Sequence, residues 1–258
     1  MSAEVAPFGP MLMQQTRGEF LKLWRAPIFS IFSLALPVMF YLFFGIQNAQ
    51  TVEHGVNIGA VVLASLAAYG VANVMLFSFG IGVALDRGRK FDVLMRATPL
   101  RPMATLIAKL LTGAMFALFA LLILFLFASL VGGLRMEASQ WFTLTWRLLL
   151  GAIPFLTLGY AIGYLVSPNA APAVVNLIAL PMYFASGLFI PVEQLPSFIR
   201  GVAPLLPAYH YGQIVWDAVG RPPDNPLWVS AAWLFGYAAA FLALAVWAYR
   251  LDESKKFS

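Results

Sequence analysis

The chain contains no cysteine, which excludes disulfide frameworks, thiolate metal sites and cysteine nucleophiles. Only two histidines occur, His54 and His210, too few to build a histidine-rich metal centre alone. Charge is scarce as well. Asp, Glu, Lys and Arg make up 10% of the 258 residues, where a soluble domain carries about 25%. With 61% hydrophobic residues and a mean hydropathy of +0.83, there is too little polar surface to coat a water-soluble globule. Lipid is the solvent this composition calls for. No Gly-x-x-x-x-Gly-Lys-Ser/Thr loop occurs, so nucleotide phosphates are not cradled by that route. Nor does the start read as a signal peptide: Glu4, Arg17, Glu19, Lys22 and Arg25 interrupt it before any apolar core forms.

Six segments are long and apolar enough to cross a hydrocarbon core of about 30 Å, which takes roughly 20 residues. They run at about 28–44, 58–85, 106–131, 148–166, 172–190 and 227–249. Lys109, near the entry of the third, is the one charge within them. The expected fold class is therefore an all-α membrane protein occupying the whole chain as a single transmembrane domain. Basic residues set its orientation. With a cytoplasmic N-terminus, twelve of the sixteen Lys and Arg lie inside, among them Arg87, Arg89, Lys90, Arg96 and Arg101. Arg135, Arg147, Arg200 and Arg221 lie outside. Both termini are expected in the cytoplasm, and the net charge of +5 reads as loops facing anionic lipid rather than nucleic acid.

Residues 10–26 read as an amphipathic helix in the cytoplasmic interface, with Leu12, Met13, Phe20, Leu23 and Trp24 on one arc. Glu19 and Leu21 fall on the wrong sides of that wheel. The long charged stretch, 86–101, lies between the second and third spans. Phe91, Leu94 and Met95 sit there at helical spacing, giving a short helix an apolar face toward the bundle. A solvated basic loop is the plainer reading of the same charges.

The order of residues in that stretch resembles the type-2 permease family of ABC exporters, close to its drug-resistance and antibiotic-export branch. A charged cluster with glycine precedes Arg96-Ala97-Thr98-Pro99-Leu100, and Ala108-Lys109 opens the third span. A second match runs Ser186-Gly187-Leu188-Phe189-Ile190-Pro191, then Glu193-Gln194-Leu195-Pro196, then Pro204-Leu205-Leu206-Pro207-Ala208-Tyr209-His210. Arg89-Lys90-Phe91 departs from the pattern of relatives. The resemblance implies a half-transporter that pairs with a second permease chain, identical or not, in the inner membrane. It also implies two cytoplasmic ABC ATPase subunits, which would bind the ATP and Mg. Docking would run through a coupling helix, with contacts among Asp86, Arg87, Gly88, Arg89, Asp92, Arg96, Thr98 and Pro99. No catalytic or metal site is expected on this chain.

Between the last two spans, about 191–226 reads as an outer re-entrant or interfacial helical hairpin, with a helix opening at Pro196 and another over 208–219. Pro37, Pro154 and Pro181 should kink their spans. Asn73 and Asn176 either line a path or bond a neighbouring helix. A hydrophobic path would use Phe40, Tyr41, Phe44, Phe77 and Phe184. His210 reads as a structural hydrogen-bonding residue at the outer interface. The expected function is the permease subunit of an ATP-driven exporter of a hydrophobic or amphipathic compound: a drug, an antibiotic or a lipid-like molecule. Polysaccharide or sodium export are alternatives within the family; a self-sufficient channel or an intramembrane enzyme are alternatives outside it.

Overall fold

A computed structural model describes residues 8–89 and 102–254 of the chain. Helix α1, Phe8–Trp24, precedes α2, Pro27–Phe40, whose first turn carries a proline with no N–H to waste. Pro37 removes a donor from α2, and the chain continues into a π turn at Tyr41–Gly45 and then a 3-10 turn at Ile46–Asn48. A two-residue hairpin follows, β1 Val52–Glu53 against β2 Val56–Asn57, with Val52 opposite Asn57. His54 and Gly55 both have positive φ, 50° and 81°, the backbone that a tight antiparallel turn requires. Asn57 then caps α3: its Oδ1 accepts from the Ala60 N–H at 3.0 Å, and its Nδ2 donates to the Ala49 carbonyl.

Helix α3, Ile58–Leu76, passes through a π turn at Phe77–Ile81 into α4, Gly82–Gly88. It is apolar all round and mostly buried, so it forms the axis of the bundle. Against the π turn packs α7, Ile153–Leu165. The approach is permitted by Gly159 and Gly163, four apart. A Cβ on Gly163 would sit 2.8 Å from Val83 Cβ, and one on Gly159 3.1 Å from the Gly80 nitrogen. Small residues at this spacing let two membrane helices touch backbone to backbone.

Helix α5 covers Pro102–Leu130 and α6 covers Ala138–Gly151, the latter opened by a reciprocal cap between Glu137 and Gln140. The reading from composition starts this crossing at 148 and leaves Arg147 outside it. The helix itself begins earlier, at Ala138, and Arg147 lies along it with Asp217 meeting its charge at 2.6 Å. Pro154 offsets α6 from α7 where its missing N–H interrupts the ladder. Then come α8 (Ala171–Ala185), α9 (Ser197–Val202), α10 (Pro207–Ala218) and α11 (Leu227–Ser254).

By length and composition, four stretches among the described residues can cross a membrane: Ile58–Gly88, Ala104–Leu130, Ala138–Leu165 and Leu227–Glu253. Two shorter apolar helices, Ser33–Asn48 and Ala171–Ala185, accompany them. The protein is thus an all-α membrane protein with α3 at its centre. On α11 most residues are exposed, including Trp228, Phe235 and Trp247, as expected where lipid replaces water.

Candidate functional site

Two neighbours at the end of α4 organise the expected cytoplasmic end. Asp86 Oδ2 accepts from Lys109 Nζ of α5 at 2.7 Å, and its Oδ1 pairs with Lys22 of α1. Lys109 Nζ also reaches Glu19 Oε2 of α1 at 3.1 Å. Four charges of balanced sign thus join three helices. Arg87 turns elsewhere: Nη1 donates to the carbonyls of Gly163 at 2.7 Å and Val166 at 3.3 Å, closing the C-terminal turn of α7. Its Nη2 pairs with Asp252 of α11, and its guanidinium lies 5.5 Å from the Tyr164 ring centre.

This cluster explains an irregularity in α1. Glu19 falls on the apolar side of the wheel because that side packs on α5, where Lys109 waits for it. Thr112 adds a hydroxyl bond to the Thr16 carbonyl. The face turned inward runs through Met11, Thr16, Glu19, Phe20 and Leu23, while Met13 and Trp24 are exposed. Met13 therefore does not belong to the packed arc, whereas Trp24, half exposed, still meets Phe119 of α5 edge-on at 5.8 Å.

Asp86, Arg87, Gly88 and Arg89 are the described members of the expected docking set. Asp86 and Arg87 spend their charges within the bundle, Gly88 lies exposed beside Pro168, and Arg89 is exposed. Asp92, Arg96, Thr98 and Pro99 lie outside the described residues.

The expected path residues separate into groups. Phe40 lies 6.3 Å from Phe44 and 5.9 Å from Phe189 between ring centres, and Phe184 lies 4.8 Å from Phe189. Phe189 therefore joins the α2 and α8 sides into one aromatic surface, on which Phe44 and Phe184 are exposed. Asn176 is exposed on α8, its Nδ2 donating to the Pro172 carbonyl one turn back. Asn73 and Phe77 are half-buried on the α3 axis. Tyr41 turns away from this surface: it is fully buried, its ring lying over Gly45 and close to Gly132. Phe189 was missed because it lies in a stretch read as a motif, not as a lining.

At the expected outer end, ten of the twelve residues of α10 are buried. It is a plug rather than a surface helix. Trp216 Nε1 donates to Ser65 Oγ of α3 at 2.8 Å, and Tyr211 Oη to the Leu148 carbonyl at 2.7 Å while its ring covers Gly151. Asp224 accepts from Tyr209 and Gln213, closing the following loop onto the helix. His210 is held by the Pro204 carbonyl at 2.9 Å and Ser230 Oγ at 3.2 Å, stacked 5.2 Å from Trp233. Burial holds its pKa below the ordinary 6.5, the bond to Pro204 opposing this in part. The neutral ring donates from Nε2 to Pro204 and accepts at Nδ1 from Ser230.

A family model described as ABC-2 type transporter matches residues 12–218. The chain is also similar to a protein of Bacillus subtilis (strain 168) named "Putative transport permease YvfS". The two are 25% identical over 244 residues, covering 95% of this chain and 99% of that one.

Proposed function

The chain belongs to the ABC-2 type transporter family as a membrane permease subunit, and on that premise we propose that it serves an exporter of hydrophobic or amphipathic compounds. Six crossings carry it through the inner membrane, the two shorter apolar helices completing the four long ones, with both termini in the cytoplasm. A second permease chain and two ATPase subunits complete the assembly, and ATP and Mg belong to those ATPases. Residues 86–101 form the cytoplasmic coupling segment.

The observation that carries this reading is the internal engagement of Asp86 and Arg87 at the base of that segment. Through ion pairs and carbonyl bonds they tie it to α1, α5, α7 and α11. A push arriving on residues 89–101 is thereby spread over four helices instead of bending one. Cargo passes over the aromatic surface of Phe40, Phe44, Phe184 and Phe189, with Asn176 as its polar point. Such a surface suits an apolar or amphipathic molecule and offers a strongly charged one nothing to offset its dehydration.

The test is reconstitution of the chain with its ATPase in vesicles, measuring ATP-dependent movement of hydrophobic dyes and the compounds that stimulate hydrolysis. Dye movement lost on deleting residues 89–101 supports the reading. Movement that survives the deletion, or that needs no ATPase, contradicts it.

A further inference from the structure

Between α6, α7 and α11 lies a lateral groove of about 410 Å³, lined by Arg147, Leu150, Ile153, Leu234, Phe235 and Ala238. Trp146 and Trp228 also line it, both exposed, and the Arg147 guanidinium lies 5.7 Å from the Trp146 ring centre. Trp228 lies in the first turn of α11, and Ala238 lies about 15 Å deeper at 1.5 Å per residue. The groove thus runs from the end of a membrane helix into the apolar layer. Tryptophan at that level is the residue of the membrane–water boundary.

The hydrogen-bond donors of the Arg147 guanidinium on this groove are only partly used. Its bonds to the Asp217 carboxylate, 2.6 Å, and the Ile214 carbonyl, 2.9 Å, both leave from Nη1. Nε and Nη2 have no hydrogen-bond partner among the described residues. They are not sealed off: the buried unpartnered polar atoms of those residues are Tyr41 Oη, Ser78 Oγ, Arg87 Nε and Tyr183 Oη. Nε–H and Nη2–H form the parallel edge of the guanidinium, the fork that takes two oxygens of a phosphate side by side. Arg147 is otherwise mostly buried, with 15% of its side chain exposed, so the fork stays fixed in direction.

We propose that this groove binds one membrane phospholipid, its phosphate on the Nε/Nη2 edge of Arg147 and one acyl chain along Leu150, Ile153 and Phe235. Asp217 already balances the arginine charge. Recognition therefore rests on directed donors plus the apolar channel, and neither part suffices alone. The site requires only that the chain lie in a membrane; its assignment to the outer leaflet rests on the orientation given under Proposed function.

The test uses the full chain in a neutral detergent and native mass spectrometry. Phosphatidylglycerol, diacylglycerol, glycerophosphoglycerol and inorganic phosphate are offered separately. Three variants are compared: Ala231→Phe, which fills the exposed groove wall; Ala239→Phe, on α11 outside the groove; and Arg147→Lys, which keeps the charge for Asp217 but removes the fork. The expected result is one retained phosphatidylglycerol per chain, held about tenfold better than diacylglycerol, a margin of two charge-assisted bonds. Retention falls in Ala231→Phe and Arg147→Lys and is unchanged in Ala239→Phe, with equal thermal unfolding of the two alanine variants. Glycerophosphoglycerol and phosphate leave no adduct. Equal retention of diacylglycerol, persistence of phosphatidylglycerol in Ala231→Phe, a chainless phosphate adduct, or a dimer lost in Ala231→Phe without any lipid in the parent would each overturn the proposal.

Discussion

Asp86 and Arg87 are adjacent in the chain, yet one accepts from Lys109 Nζ at 2.7 Å and the other donates to the Gly163 carbonyl at 2.7 Å. Their side chains divide the charged end of the bundle between α5 with α1 and α7 with α11. Because both are largely buried, with 15% and 20% of their side chains exposed, neither arm is a surface ion pair of negligible worth.

Neutralising one member of the four-charge cluster should expose this. Asp86→Asn leaves Lys109 buried with only Glu19, and removing one partner of a buried pair costs about 3–5 kcal/mol. The check is thermal unfolding in detergent. Exchanging the pair, Asp86→Lys with Lys109→Asp, should recover part of the loss. An Asp86→Asn chain as stable as the parent would mean the cluster is solvated.

The contact of α7 with the π turn tolerates no side chain at Gly163. Gly163→Ala places a Cβ 2.8 Å from Val83 Cβ and 2.9 Å from the Phe79 carbonyl oxygen, both on a packed helix. Overpacking of this kind costs about 1–3 kcal/mol. Gly201→Ala, with open space around it, is the matched control and should unfold as the parent does.

Tyr183 is fully buried and its hydroxyl has no partner among the described residues, although its ring packs 5.3 Å from that of Tyr69. Tyr183→Phe keeps the ring and removes an unpaired polar group, so stability should hold or rise by about 1–3 kcal/mol. A drop in unfolding temperature would reveal a partner for that hydroxyl in the assembled membrane protein.

How far the sequence disclosed all this depends on distance along the chain. The all-α membrane character was legible from apolar runs, and Lys109 stood out as a lone charge in one of them. Its partner Glu19 was visible only as a misfit on a helical wheel, since a pairing ninety residues apart leaves no local pattern. The start of α6 at Ala138 was hidden because Arg147 looks like a terminator until Asp217 is known to meet it. The burial of α10 was equally hidden. Tyr209, Gln213 and Trp216 carry polar atoms whose partners, Asp224 and Ser65, are found only in three dimensions. The π turns at Tyr41–Gly45 and Phe77–Ile81 interrupt apolar runs whose periodicity does not announce them.

His210 gives a pH signature. Its folded-state pKa lies below 6.5, so on acidification the unfolded chain takes up the proton first. Stability therefore begins to fall as pH drops through 6.5, and stops falling once the folded ring is protonated as well. His210→Gln retains a donor and an acceptor but no titration, and should flatten that part of the unfolding-temperature profile. An identical profile in the variant would place the titration elsewhere.

The absence of cysteine gives the most direct access to the central claim, because a single introduced thiol is unique in the chain. With Thr98→Cys in the coupling segment, and a thiol-to-amine cross-linker added to membranes containing the ATPase, the permease should join that ATPase in one covalent band. In intact cells the same thiol should resist a membrane-impermeant maleimide, whereas one at Arg221→Cys should react. A Thr98→Cys thiol that is labelled from outside, or that never cross-links to the ATPase, would contradict energy transfer through residues 86–101.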